Sequence, residues 1–275
     1  MARGVETDSP LWPAVACSED GMRLVGVAQD MRIPDFYTSS DGGVTWTSPV
    51  TVAATIGSDD FDKNWIACDT WSTSPYYGNC YTEWDNYGSG NRLLMSTSTD
   101  GGATWGSAKQ TGNAATGLGG QPVVQPNGTV IVPSANANET AIIAFSSSNG
   151  GSSWSSTTSI ATVKTHSVAG SLRTGPLPSA EVDGGGKVYV VWQDCRFRRK
   201  CQSNDIVMTT SSDGTSWSRV VRVPVGTTMP CHDDDSYPAS PDSAIVGRFG
   251  IELKRVSDEM AIAFILPASI CVLTA

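Results

Sequence analysis

Apolar positions along this chain come in short runs broken by turn residues, with no helical stripe among them. Pro13-Ala-Val-Ala-Cys17 is followed by Glu19-Asp-Gly21 and then by Arg23-Leu-Val-Gly-Val-Ala28. The same order returns in Pro122-Val-Val124, Pro126-Asn-Gly128 and Thr129-Val-Ile-Val132. It returns again in Ser179-Ala-Glu-Val182, Asp183-Gly-Gly-Gly186 and Lys187-Val-Tyr-Val-Val-Trp192. β-Branched runs joined through Asp-Gly or Asn-Gly read as strand, tight turn, strand.

A longer repeat frames these hairpins. Ser39-Ser-Asp41-Gly-Gly43-Val-Thr-Trp46 recurs as Ser98-Thr-Asp100-Gly-Gly102-Ala-Thr-Trp105 and as Ser147-Ser-Asn149-Gly-Gly151-Ser-Ser-Trp154. A fourth copy, Ser211-Ser-Asp213-Gly-Thr-Ser-Trp217, is one residue shorter. The starts lie 59, 49 and 64 residues apart, about one four-stranded blade each. The Asp or Asn can accept hydrogen bonds from its own turn, glycine supplies positive φ, and Trp offers a large apolar surface. The motif therefore reads as structural. Each unit becomes a first hairpin, a loop, a third strand entering the box and a fourth leaving it.

Composition agrees with this picture. Glycine is abundant (28) and charged residues are few (16%), which suits short strands and tight turns. No apolar stretch is long enough to span a membrane as a helix. A net charge of −9 and a pI near 4.6 argue against a nucleic-acid partner, which needs a basic surface. Among the seven cysteines, Cys68 and Cys80 flank a turn-rich loop, and Cys195 and Cys201 flank a short basic one. Both pairs read as local disulfides, favouring a secreted or periplasmic protein over a cytoplasmic one. The start, MARGVETDSP, lacks the apolar run of a signal peptide. No zinc spacing is present, and Asp233–Asp235 lacks the spacing of a calcium loop. No metal or other cofactor is expected.

The four boxes resemble those of the sialidase superfamily, the Asp-box (BNR-repeat) β-propellers, over about residues 12 to 223. Trp65-Ile-Ala-Cys-Asp69, Gly90-Asn-Arg-Leu-Leu-Met95 and Trp192-Gln-Asp-Cys-Arg196 are similar to segments of bacterial exo-sialidase-like members. The resemblance implies an all-β chain forming a single β-propeller domain, residues 1–275, of four-stranded antiparallel blades. Five blades are expected, six being the alternative, with 243–275 a divergent last blade. It also implies glycoside hydrolysis, in a funnel on the face away from the Asp boxes.

That face collects acids and arginines. Gln29-Asp30-Met-Arg32 and Gln193-Asp194-Cys-Arg196 repeat one pattern at one place in the blade. Glu83-Trp84-Asp85 and Arg92 are expected in the second loop, and Asp59, Asp60, Asp62 and Lys63 before the second blade. Glycoside hydrolysis needs a proton donor and a second group across the sugar. The leading acids are Asp30, Glu83 and Asp194, with Arg32, Asp62, Trp84, Arg196 and Tyr237 as substrate-binding candidates. The resemblance also implies three arginines gripping a sialate carboxylate. Arg32, Arg196 and either Arg92 or Arg173 are the available set, and the spacing proves none of them. Without such a triad, a neutral sugar such as a galactoside suits carboxylates and aromatics (Trp65, Trp71, Trp84, Tyr237). The expected reading is an exo-acting glycoside hydrolase with a carbohydrate substrate. The alternative is a propeller that binds carbohydrate or protein without catalysis.

Overall fold

The computed structural model describes residues 11–18, 20–30, 33–170, 174–224, 251–256 and 259–264. Blade 1 runs β1 (Leu11–Cys17), β2 (Leu24–Asp30), β3 (Ile33–Ser39), β4 (Val50–Thr51), paired in that order. Blade 2 repeats it with β5 (Phe61–Cys68), β6 (Cys80–Asn86), β7 (Arg92–Ser98) and β8 (Lys109–Gln110). Blade 3 has β9 (Gly117–Leu118), β10 (Val123–Val124), β11 (Val130–Asn136), β12 (Ala141–Ser147) and β13 (Thr158–Thr162). Blade 4 has β14 (Ser179–Val182), β15 (Val188–Asp194), β16 (Asp205–Ser211) and β17 (Val221–Arg222). In the tail, β18 (Ile251–Val256) and β19 (Glu259–Phe264) form a two-stranded hairpin. All pairings are antiparallel, and the fold is a β-propeller. Among the described residues no helix is long and apolar enough to cross a membrane.

The first strands of successive blades, β1, β5, β10 and β14, lie beside one another and form the inner ring. Register aligns the blades residue by residue. The first residue of each second strand, Leu24, Cys80, Val130 or Val188, stands opposite the box serine Ser39, Ser98, Ser147 or Ser211. Box turns and first-hairpin turns thus share one end of every blade. The loops after β2, β6, β11 and β15 share the other.

The boxes are built as the sequence predicts. Asp41 accepts from the Thr45 amide at 2.9 Å, while Ser39 Oγ accepts from the Gly43 amide at 2.9 Å and donates to Asp41 at 2.8 Å. Hydrogen bonds led by the Thr45 hydroxyl hold the Asp41 carboxyl down at about 2. In the third box Asn149 keeps the amide bond from Ser153 and donates its own side-chain NH₂ to Ser153 Oγ at 2.8 Å. Each later box Trp reaches back to the preceding blade. Trp105 packs on Phe36 (4.8 Å between ring centroids), Trp154 on Tyr81 (6.3 Å), and Trp217 on the cluster around Ile131. Gly151 lies so close to Thr97 that a Cβ there would sit 2.0 Å from Thr97 Oγ1.

Both expected disulfides are present, Cys68–Cys80 and Cys195–Cys201. The first closes the 69–79 loop, where Asp69 accepts from Ser74 Oγ (2.5 Å) and the Trp71 amide (3.1 Å). Trp71 donates its indole N–H to the Val124 carbonyl at 2.6 Å. Trp71 therefore fastens blade 2 to blade 3 at the box end, away from the expected funnel.

Candidate functional site

Glu83, Trp84 and Asp85 are strand residues, not loop residues: they fall within β6, which is buried along its whole length. Both sides of this strand are covered by neighbouring blades. Cys80 faces the blade 1 cluster of Val25, Val27 and Phe36, while Tyr81 faces Val124 and Val130 of blade 3. Strand alternation then places Glu83 and Asp85 on the Tyr81 side, toward blade 3. At the place of Glu83 the other blades carry Val27, Pro133 and Val191. A carboxyl has replaced a core apolar residue.

Blade 3 makes room for it. Its inner strand is split into β9 and β10, both paired to β11. Pro133 sits opposite the break, its carbonyl accepting from the Gln121 amide at 3.0 Å. A strand residue points N–H and C=O the same way, so proline leaves the inner strand without a donor here. The chain departs through Gly119 and Gly120, and a Cβ on Gly120 would lie 2.6 Å from the Glu83 carboxyl carbon. Neither Glu83 nor Asp85 makes a side-chain hydrogen bond of normal geometry. Burial, then the charge of Asp85, pushes Glu83 well above the usual carboxylate range. Burial, then Asp62, pushes Asp85 up to about 7.

On β5 a bulge between Asp62 and Trp65 changes which side chains reach solvent. Asp62 pairs across to Asp85, and Trp65 to Glu83. Lys63 has a left-handed backbone (φ 52°) and bonds Asp62 twice, through its amide at 2.8 Å and its ammonium at 2.7 Å. The Asp62 side chain is 48% exposed and Trp65 is 40% exposed. An ion-paired acid, a buried acid with raised pKa and an exposed indole thus share the inner strands of blade 2. Above them, Asn86 ties the link down, donating to Asp59 at 2.7 Å and accepting from the Asp60 amide at 3.1 Å.

The other candidates are placed differently. Asp194 is buried, and its oxygens accept from the Arg196 amide (2.7 Å), the Lys164 amide (3.1 Å), Trp192 Nε1 (3.3 Å) and the Arg196 guanidinium (2.7 Å). Burial works to raise its pKa, but Arg196 and these amides hold it below the usual range. Arg196 also lies over the Trp192 ring and donates to the Thr162 carbonyl. Trp84 is buried with its ring edge-on to Phe61, so it offers no face to a ligand. Arg92 opens β7 and donates to the Ala114 carbonyl at 2.6 Å. Asp30 ends β2 at the place held in other blades by Asn86, Asn136 and Asp194. Those three each accept backbone N–H groups from nearby loops. Arg32, Arg173 and Tyr237 lie outside the described residues. Among the described residues no group of three or more His, Cys, Asp or Glu is arranged to hold a metal ion.

Sequence reading singled out Glu83 and Asp62 but passed over Asp85 as a catalytic candidate. The i, i+2 spacing of Glu83 and Asp85 was the available signal, once the segment is taken as a strand.

The family model described as a BNR repeat-like domain matches residues 76–239. No curated protein matches the chain. Among solved structures, the NanB sialidase from Streptococcus pneumoniae is 12% identical with a TM-score of 0.54, covering 81% of this chain and 53% of its own. The intramolecular trans-sialidase from Ruminococcus gnavus is 13% identical with a TM-score of 0.51, covering 81% and 73%. The endo-arabinase from Bacteroides thetaiotaomicron is 13% identical with a TM-score of 0.51, covering 96% and 92%. This chain spans about half the length of NanB. At these identities the likeness is one of fold.

Proposed function

Because the chain belongs to the BNR repeat-like domain family of Asp-box propellers, we propose that it is an exo-acting glycoside hydrolase whose acid–base group is the Asp62–Asp85 pair. One observation carries this reading: two acids stand directly opposite each other, one partly exposed and ion-paired, the other buried and titrating at about 7. A buried acid raised in this way beside an exposed one can hold a proton for catalysis at neutral pH. Asp85 holds the proton, and Asp62 is the member a glycosidic oxygen can approach. The Asp85 proton passes through Asp62 to that oxygen as its bond to the anomeric carbon breaks, so the aglycone leaves neutral; water adds to the anomeric carbon, and the proton it sheds returns to the pair. Trp65, exposed beside the pair, gives a face for a sugar ring. Glu83 lies deeper along the same row, where burial favours its protonated form. Asp194 takes the role of holding loops.

Both described candidate arginines are held internally, Arg92 by a carbonyl and Arg196 by Asp194. This supports a neutral terminal sugar, such as β-galactose, over sialate. The two disulfides support a secreted or periplasmic location. Turnover of a chromogenic panel of sialosides and β-galactosides tests the reading. Release from a β-galactoside or related neutral glycoside is expected. No turnover across the panel, with glycan-array binding retained, leaves the protein a non-catalytic carbohydrate-binding propeller.

A further inference from the structure

The loop between β15 and β16 is a compact basic projection on an acidic molecule. Arg196, Arg198, Arg199 and Lys200 fall within five residues of a chain whose net charge is −9. The Cys195–Cys201 disulfide closes the loop, which packs on the segment after β13. There the Cys195 amide donates to the Lys164 carbonyl at 2.8 Å, Arg196 donates to the Thr162 carbonyl, and Cys201 Sγ lies 3.6 Å from the Thr165 carbonyl. Lys200 and Cys201 both hold left-handed backbone (φ 55° and 54°), which a side-chain-bearing residue adopts only when its surroundings impose it.

The cations divide into two sets. Arg196 pairs with Asp194 and Arg198 with Asp205 at 2.5 Å, so these two anchor the loop. Arg199, Lys200 and Lys164 are exposed and have no ion-pair partner among the described residues. Phe197 is 42% exposed in the same loop. An aromatic face suits the C–H face of a pyranose, and flanking cations suit a carboxylate or sulfate on it. A loop closed by a disulfide loses little freedom on binding. It lies at the same end of the blades as the loop after β6.

We infer that the Cys195–Cys201 loop, with Lys164, is a subsite for an anionic sugar unit at the rim of the funnel face. This deepens the glycosidase reading: the sugar cleaved at blade 2 is neutral, and the chain that carries it bears acidic units gripped at blade 4.

Isothermal titration of the whole protein with polygalacturonate, chondroitin sulfate, neutral dextran and a DNA duplex tests the inference. Salt-sensitive binding to polygalacturonate or chondroitin sulfate is expected, with dextran unbound. Which polymer binds distinguishes carboxylate from sulfate. R199A/K200A and F197A are each expected to weaken that binding about tenfold. Three results would overturn it: neither acidic polysaccharide binds, R199A/K200A binds like the parent, or DNA binds as well as the polysaccharides with F197A unaffected. If the glycoside panel gives no turnover while R199A/K200A still weakens polysaccharide binding about tenfold, the enzyme reading falls and the subsite stands.

Discussion

Asp62 on β5 and Asp85 on β6 stand directly opposite each other across the two inner strands of blade 2. Like charges so placed repel. The fold meets this by pairing Lys63 with Asp62 at 2.7 Å and by burying Asp85 until it holds a proton near neutrality. Among the described residues none of blades 1, 3 and 4 carries two acids at these positions: Asp85 is matched by Gln29, Ala135 and Gln193.

A pH dependence of stability follows. Asp85 titrates at about 7 when folded and near 4 when unfolded. Below pH 4 both states are protonated and the group contributes no difference. Between 4 and 7 the folded state binds more protons, so stability falls as pH rises and levels off above 7. The full shift corresponds to on the order of 4 kcal/mol. Urea unfolding at pH 5 and pH 7.5 should show this loss in the parent and a smaller one in Asp85→Asn. Glu181, also raised to about 7 by burial, and Glu83 keep the slope from vanishing.

At blade 4 the two partners of one ion pair are not equivalent. Arg196→Met leaves Asp194 buried beside apolar surface and should cost about 3 kcal/mol. Asp194→Asn keeps an acceptor for the Lys164 and Arg196 amides and should cost less. Chemical denaturation of both variants at pH 7 orders them.

The box residues separate conformation from charge. Asn149→Asp restores what three other boxes carry and should change stability by less than about 0.5 kcal/mol. Gly151→Ala places a Cβ against Thr97 at a backbone φ of 78° and should cost roughly 3 kcal/mol. Thermal melts of the two variants make the comparison.

Removing Cys68–Cys80 as the double Ser variant should lower stability by about 3 kcal/mol, since the bridge closes a twelve-residue span. The 69–79 loop should then exchange amide hydrogens faster, the effect being greatest around Asp69 and Trp71.

The propeller was legible because its signals are local. Box spacing marks the blades, and the Asp-Gly and Asn-Gly turns mark the hairpins. The site was not, because β6 lies between two blades and both its faces are buried. Cys80-Tyr-Thr-Glu-Trp-Asp-Asn86 therefore lacks the polar–apolar alternation of a half-buried strand, and its acids read as a loop. The split of β9 from β10 depends on Pro133 facing Gln121, a pairing made twelve residues and one turn away. The repeated Gln-Asp of 29–30 and 193–194 drew attention instead. At Asp194 it marks an ion pair that holds a loop. Of the stretch expected to form a divergent last blade, the described residues hold the hairpin β18–β19, and Tyr237 lies outside them.

The most direct test compares the parent with Asp85→Asn on two glycosides of one sugar, a methyl glycoside that needs its leaving oxygen protonated and a 2,4-dinitrophenyl glycoside that does not. If the Asp62–Asp85 pair supplies the proton, the variant should lose about 10²- to 10⁴-fold on the methyl glycoside and keep most of its rate on the other. Equal losses on both substrates, or full activity on both, would contradict the account.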